Sequence, residues 1–571
     1  MKARALPLCA VLLAAAAGAY AQKPCVSGST LNKLYSEGQW RSLLSAAICS
    51  SNHSADLDYF RGMALARLER WDEAAGVFKA AEKQYPHDKR FPVELAGIAF
   101  KQKRFGKAKR ELHRALRLDP KDRYALTFLA TLYFLDGNLA AALKYWNRVG
   151  KPRIADIQTP PQIRVDPALL DRAFTCSPAS ILRLEQYRTT RARLEQLGIF
   201  PAFRLDLTPH PGGHSDRFDL TLSAVEQNGW GRNKAAWLLS LLRGAPYETV
   251  YPEYFNLHHS ALNVQSLFRW DDPKRRIFAS VSAPLARNPK FRYQLYVDGR
   301  NENWDVSQTF HVAGSPLTTF NMEKLEAGGG VRSIVNSRLS WAAGLALSDR
   351  WFRDLPVGMS KFLFTDGFAL EFRARGQYAL LQIPEKRFTL TTSAEVSLGK
   401  LYATGFGDFS KLQGSARARW FPQSRGDDYE VDEDFHAGKT FGSVPFDELF
   451  ILGLERDNNL SLRAHIGTHD GRKGSAPLGR DYLLSNWEIN KNLYDGGWFK
   501  LRLAPFLDTG RIYSSSNGFG SRQWLWDTGG QAKLSVLGGV SVIFTYGKDL
   551  RTGNNTFYVT TVHEGGLRFL P

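Results

Sequence analysis

The sequence predicts a multidomain chain: an α-helical repeat solenoid, one small α+β domain, and a C-terminal transmembrane antiparallel β-barrel of about 16 strands. Three observations predict it. Residues 55–122 repeat with a 34-residue period. Residues 177–226 pass from a helical pattern into two strand patterns. From about Val250 to Val562, segment after segment alternates apolar with polar side chains. A chain of 571 residues has room for all three.

The start reads as a secretory signal over residues 1–21: Lys2 and Arg4 precede the apolar Ala5–Ala19, and Ala19-Tyr20-Ala21 offers small cleavage-site residues. Cleavage leaves three cysteines, Cys25, Cys49 and Cys176. In an oxidising compartment Cys25 and Cys49 can form a disulfide, leaving Cys176 free; three unpaired, mostly buried thiols are the other reading. No Cys/His spacing fits a metal site, and no cofactor motif is present, so no metal or cofactor is expected. After the signal no apolar run reaches eighteen residues, so no membrane helix is expected. A barrel needs none. Its mean hydropathy, here −0.31, stays low because half of each strand faces water.

Ala55–Asp88 and Lys89–Asp122 are consecutive units with Ala at matching inner positions (Ala74 and Ala81; Ala108 and Ala115) and Pro at matching late ones (Pro86, Pro120). Gly62 takes the small-residue position of the first helix. Tyr133, Ala142 and Trp146 continue the pattern, and Glu37-Gly38-Gln39-Trp40 echoes Glu69-Arg70-Trp71 in a degenerate earlier unit. Residues 22–154 therefore resemble tetratricopeptide repeats, whose paired helices stack into a continuous core. The resemblance implies binding of peptides or a partner protein on a concave face; a spacer is the plainer role. The chain carries a net charge of +19, and residues 55–154 hold 21 Lys/Arg against 12 Asp/Glu. Such a surface suits acidic proteins or lipid head groups, or is simply a solvated basic face. For an exported chain, nucleic acid is not an expected partner.

Lys151–Pro167 is Pro-rich and predicts a linker. Helical signals follow at Pro167–Ala173 and Ser177–Leu197, with Gly198 as the stop, then strands at Ala202–Leu207 and Phe218–Glu226. The run Arg188–Phe200, followed by strand, hairpin and a strand ending in Val225-Glu226, resembles a POTRA domain, the polypeptide-transport-associated module that precedes a barrel in one outer-membrane superfamily; linker and module together take 155–228. That resemblance implies an open sheet edge able to accept an extended client; a plain connector is the alternative. Residues 229–249 form a joint whose apolar Ala235–Leu242 is too short to span a bilayer.

The barrel takes residues 250–571. Phe291, Tyr293, Leu295 and Val297 alternate with Arg292, Gln294 and Asp298, and Phe368, Leu370 and Phe372 with Glu371, Arg373 and Arg375. Charges on one face and bulky apolar groups on the other suit a polar lumen and a lipid face. Gly328-Gly329-Gly330 and Gly538-Gly539 fit bends or turns, and Thr556–Val562 is the expected last strand.

The stretch that organises this reading is Phe441–Tyr513. A polar, Gly-rich run carries Leu462-Arg463-Ala464-His465, and two alternating segments follow. Asn486, Glu488 and Asn490 share one face of the first; Arg502, Ala504, Phe506 and Asp508 share one face of the second. An arginine followed by acids on two successive strands is a candidate for a buried ion-pair cluster.

These residues resemble the BamA/TamA/TpsB-type outer-membrane assembly and transport superfamily. There, a long loop folds into a sixteen-stranded barrel and its arginine pairs with a Glu on one strand and the Asp of Phe-x-Asp-x-Gly on the next. Carried over, Arg463 is the loop arginine, Glu488 its first partner, and Phe506 and Asp508 the second contact. Ala464-His465 departs from the Gly-aromatic pair usual there. The resemblance also implies a lateral seam between the first and last strands, placed at Tyr251 and Tyr254 against Phe557 and Val559. It implies an outer-membrane translocase or insertase in a Gram-negative bacterium, set in outer-membrane lipid, with periplasmic N-terminal domains capturing polypeptide clients and the repeats holding a partner. A passive pore or scaffold, and a lipid or lipoprotein exporter, remain alternatives. No enzyme is expected: the sequence has no Ser/His/Asp order and no phosphate loop, and Glu488 with Asp508 reads as an ion-pair set rather than a hydrolytic carboxylate pair.

Overall fold

The structure, a computed structural model, describes residues 28–49, 54–212, 216–310, 319–356, 363–403, 405, 407–514, 518–536 and 540–563. The expected signal segment, Cys25 with its pairing to Cys49, and Gly538-Gly539 lie outside the described residues. The chain divides between Leu132 and Tyr133 into two compact units.

The first unit is helical: α1 (Gly28–Ser36), α2 (Trp40–Cys49), α3 (Ala55–Arg67), α4 (Trp71–Gln84), α5 (Arg90–Lys101), α6 (Phe105–Leu118) and most of α7 (Arg123–Leu135). Helix α3 starts where the Ser54 side chain accepts a hydrogen bond from the Leu57 amide, with Asp56 and Asp58 in its first turn. Gly62 allows α3 and α4 to close up, since a Cβ there would sit 2.3 Å from the Phe78 ring. Phe60, Phe78, Phe91 and Leu95 fill the core so formed. Consecutive repeats are also tied by charge: Arg90 reaches Asp56, one full period earlier, at 2.7 Å, and Lys89 bridges Asp119 and Asp122.

Glu94 works against this unit at neutral pH. Burial pushes its carboxyl above the ordinary range, opposed by a hydrogen bond from the Tyr59 hydroxyl and by the nearby Arg67 charge. A carboxyl raised on folding holds its proton more tightly in the folded chain. Its ionisation therefore costs stability once pH rises through the folded value, and that cost disappears in acid. Glu94→Gln is expected to slow hydrogen exchange across α5 relative to wild type at pH 7.5, with the advantage shrinking towards pH 4. Faster exchange than wild type at pH 7.5 would refute this sign.

In the second unit, α8 (Leu139–Trp146) begins at Asn138, whose Oδ1 accepts from the Ala141 amide. Its Nδ2 donates to the Pro384 carbonyl, and the Tyr145 hydroxyl and Lys144 both engage Glu385. The α+β module follows: β1 (Arg153–Gln158), α9 (Pro167–Ala173), α10 (Leu184–Gln196), β2 (Ala202–Pro209) and β3 (Arg217–Val225). Its sheet has the order β1-β3-β2, with β1 parallel to β3. Strand β1 lies inside the expected linker. Pro152 and Pro160 bracket it without interrupting it, and prolines flanking a strand cost no ladder bond. The second helix also starts later than expected. Residues 177–183 run alongside β1, where the Ile154 amide donates to the Ser180 carbonyl, and Gln186 turns back to accept from the Arg183 amide at the new helix start.

Helix α11 (Lys234–Leu242) occupies the joint. Then come β4 (Thr249–Val250), β5 (Glu253–Leu257), β6 (Leu262–Arg269), β7 (Lys274–Pro284), β8 (Phe291–Asp305), β9 (Thr319–Ile334), β10 (Leu339–Arg353), β11 (Gly367–Ile383), β12 (Phe388–Tyr402), β13 (Asp408–Trp420) and β14 (Tyr429–Gly442). The long loop carries only short strands: β15 (Phe450–Ile451), β16 (Thr468–His469), β17 (Arg472–Lys473) and β18 (Leu478–Gly479). The sheet resumes with β19 (Asp481–Asp495), β20 (Phe499–Tyr513), β21 (Gly520–Val536), β22 (Val540–Asp549) and β23 (Asn555–His563).

The strands follow one another in a ring. Both β4 and β5 pair with β6, so they make one interrupted first stave. Counted so, and leaving out the short loop strands, the described residues form fifteen staves where about sixteen were expected. An odd number of alternating staves leaves the first and last running the same way, which an antiparallel ladder cannot join. Among the described residues no register connects β23 to β4 or β5; the contact there is the Tyr247 hydroxyl donating to the Val559 carbonyl. The stretch before β4 is helical because Ala235–Leu242, apolar but for Ser240, does not alternate, and its helix is capped by the Asn233 side chain accepting from the Ala236 amide.

The staves are inside-out relative to a soluble sheet. Leu295, Val297, Leu345, Leu347, Trp487 and Ile489 are exposed, while Arg292, Asp298, Arg350 and Glu371 are buried. Exposed aromatics lie near both stave ends, Trp341, Tyr378, Trp420 and Trp498 towards one rim and Trp351, Tyr402 and Trp526 towards the other, with Phe372, Phe435 and Trp487 between them. That distribution is what a lipid-facing band with interfacial girdles requires. The first rim meets the α+β module: Gln196 donates to the Pro289 and Lys290 carbonyls, and Arg292 donates to the Leu197 carbonyl at 2.8 Å.

Candidate functional site

The loop of residues 443–480 enters from the rim opposite the module. Its hydrogen bonds and ion pairs reach β6, β7, β8, β9, β10, β13, β19, β20, β21 and β23. One segment touches staves on all sides of a ring only by lying inside it. The loop lies in the lumen.

Three sets of charges hold it there. In the first, the Arg463 guanidinium donates to Asp508, with Nη2 to Oδ1 at 2.7 Å and Nε to Oδ2 at 2.9 Å, and to Glu488 through Nη1. The Arg463 amide adds a bond to Asp508, and the guanidinium carbon lies 3.9 Å from the centre of the Phe506 ring. The four residues singled out in the sequence are thus brought together. Strand pleating explains how: Glu488 and Phe506 face each other across β19 and β20, and Asp508, two residues on, shares the Phe506 face. Lys533 of β21 is a further partner of Glu488.

The second set centres on Asp457. Arg269 binds it at 2.9 Å, Arg276 reaches it as well as Asp298, and Lys473 stands between it and Glu302. In the third, Asp447 and Glu448 take Lys324, Arg350 and Lys411. These two sets were not singled out in the sequence. Their bonded partners lie up to 188 residues apart, and only the inward parity of Arg269, Arg276 and Arg350 marked them.

Beside Arg463 the loop backbone lies flat on the wall. The Ala464 amide donates to Asp527 at 2.7 Å, and Thr556 of β23 donates to the Ala464 carbonyl. Gly547 of β22 makes room, because a Cβ there would stand 2.3 Å from the Arg463 carbonyl oxygen. Gly547→Ala is expected to lift the loop tip at a cost of about 1–3 kcal/mol. Gly530→Ala, where a Cβ meets nothing within 4 Å, serves as its control. Equal denaturation midpoints for the two variants would contradict the close approach.

The expected seam residues are split between the two edges. Tyr251 and Tyr254 lie at the first stave, Phe557 and Val559 on the last. Tyr254 packs against Trp230, and Tyr251 receives the Arg243 guanidinium at 3.9 Å. Only Val559 of the four has a described contact across the edges, with Tyr247.

Fold and site define a class: a membrane β-barrel with an ion-paired loop in its lumen, preceded by tetratricopeptide repeats. Tetratricopeptide-repeat family models match residues 39–89 and 65–132. No curated protein matches the chain. Similar solved structures include CdiB from Escherichia coli, 14% identical with a TM-score of 0.46, covering 72% of this chain and 77% of that one. BamA from Haemophilus ducreyi lacking POTRA domains 1–3 is 12% identical with a TM-score of 0.40, covering 72% and 84%. CdiB from Acinetobacter baumannii is 12% identical with a TM-score of 0.44, covering 72% and 73%.

Proposed function

We propose that this chain is an outer-membrane translocase or insertase of the BamA/TamA/TpsB type. In this reading the repeats and a POTRA-like module face the periplasm, and the barrel exports or assembles polypeptides. The observation that carries it is the lumenal loop pinned by Arg463 to Glu488 and Asp508 on adjacent staves. A passive pore needs an open lumen, whereas this lumen holds a loop bound by paired buried charges, so passage requires the loop to shift or the barrel edges to part. The unladdered edges beside α11 supply the second route.

The repeats would hold a client or a partner protein, and the module, joined to the barrel rim through Gln196 and Arg292, would deliver an extended segment there. Arg463, Glu488, Phe506 and Asp508 would act as the loop lock, with Tyr251, Tyr254, Phe557 and Val559 flanking the seam. Depletion of the protein followed by an outer-membrane and secreted proteome tests the function. Loss of one or a few proteins identifies a dedicated exporter, and broad loss a general insertase. An unchanged proteome would refute both and leave the scaffold or pore.

A further inference from the structure

Asp508, Asp527 and Asp549 stand in register on three successive staves, Asp508 opposite Asp527 and Asp527 opposite Asp549. All three face inward; the first two have no exposed surface and the third is 5% exposed. Adjacent carboxylates in a buried row repel, and each needs a counter-charge. Asp508 has Arg463, and Glu488 beside it has Arg463 and Lys533. Among the described residues, the cation-forming side chain within ion-pair distance of Asp527 and Asp549 is His465, whose Nδ1 lies 3.1 Å from Asp527 Oδ2 and whose Nε2 lies 3.8 Å from Asp549 Oδ2.

The local hydrogen bonds do not close the account. Asp527 Oδ2 accepts from the Ala464 amide, but Oδ1 of this fully buried carboxylate has no partner. Asp549 accepts from the Arg551 amide and the Thr552 hydroxyl, bonds that orient its carboxylate without neutralising it. One ligand atom from each of His465, Asp527 and Asp549 lies within 4.8 Å of the others. Two ligand atoms bound to one ion at about 2.0–2.2 Å stand no more than about 4.4 Å apart, so binding would draw the widest pair of these atoms together.

We propose that His465, Asp527 and Asp549 bind one divalent transition-metal ion of the zinc class. One imidazole nitrogen with two carboxylates favours such an ion over calcium or magnesium, which prefer all-oxygen sets. The ion would compensate the two acids that Arg463 does not reach. It would also fasten the loop tip to β21 and β22, next to the stave that forms the barrel edge. Arg463 and the metal would then grip adjacent loop residues from the same row of aspartates.

The test is zinc titration of the tag-free, full-length protein in detergent after treatment with a chelator. Isothermal calorimetry and metal analysis after gel filtration are the readouts, with heat-modifiable migration reporting that the barrel is folded. Because the chain has twelve histidines, the informative quantity is the site lost in a variant rather than the total metal bound. Wild type is expected to retain one zinc that His465→Gln and Asp549→Asn each bind at least about tenfold more weakly, with both variants folded. Asp549 lies near the stave end, so its variant keeps the test available if a change at Asp527 or His465 blocks folding. Equal zinc binding by wild type and both variants, or no zinc retained by wild type, overturns the proposal.

Discussion

Asp457→Asn is expected to free the middle of the loop while leaving the barrel folded. The carboxylate stands among Arg269, Arg276 and Lys473, with Arg300 engaged on Asp298 beside them. Asparagine keeps the shape and loses the charge, so several buried cations are left facing one another. Removing one partner of a buried ion pair costs about 3–5 kcal/mol, chiefly from the uncompensated charge left behind. Each of these cations is rooted in a stave or in the loop itself, so the strain is relieved most readily by moving the loop. Limited proteolysis of the detergent-solubilised protein should cut within residues 443–480 markedly faster than in wild type, while heat-modifiable migration persists. An unchanged cleavage rate would show that the Asp457 cluster does not restrain the loop.

Arg463→Ala is expected to have an effect of similar size, confined to the loop tip. Glu488 keeps Lys533, so the penalty falls on Asp508, which is fully buried and loses its guanidinium partner. The loss should again be about 3–5 kcal/mol. Arg463→Ala combined with Asp508→Ala should cost less than the two single changes added together, because the double variant leaves neither member of this pair buried without the other. Hydrogen exchange over residues 460–466 reads this locally, and the segments around Asp447 and Asp457 should stay protected. Strict additivity would mean that the two residues do not act as a pair.

These two predictions separate what was legible in the sequence from what was not. Alternation along β19 and β20 is a local property, so it placed Glu488, Phe506 and Asp508 on inward faces without knowledge of the barrel. The helical period likewise exposed the repeats. The Asp457 cluster is different in kind, because whether Arg269 and Arg276 meet a loop residue nearly two hundred positions later depends on ring closure and loop path. The aspartate row was equally hidden: Asp508, Asp527 and Asp549 come into register through the lengths of two intervening turns. Inward parity would have nominated them as candidates, though not as neighbours. Strand β1 was masked by its flanking prolines. Fifteen staves among the described residues agree with the expected count of about sixteen, and the loop of residues 443–480 takes length that an average stave would have used.

In the proposed function the lock would also differ from a single pin. Anchors at Asp447 and Glu448, at Asp457 and at Arg463 are separate, so in that reading the loop would release in stages, the tip nearest the barrel edge moving while the base holds. This staging makes the tip the working part in the proposed function.

The most direct measurement is the outer-membrane and secreted proteome of cells whose only copy carries Arg463→Ala, set beside that of depleted cells and scored with the variant barrel folded and at wild-type abundance. The account predicts that the proteins lost on depletion are lost in the variant too. A wild-type proteome in those cells would contradict it.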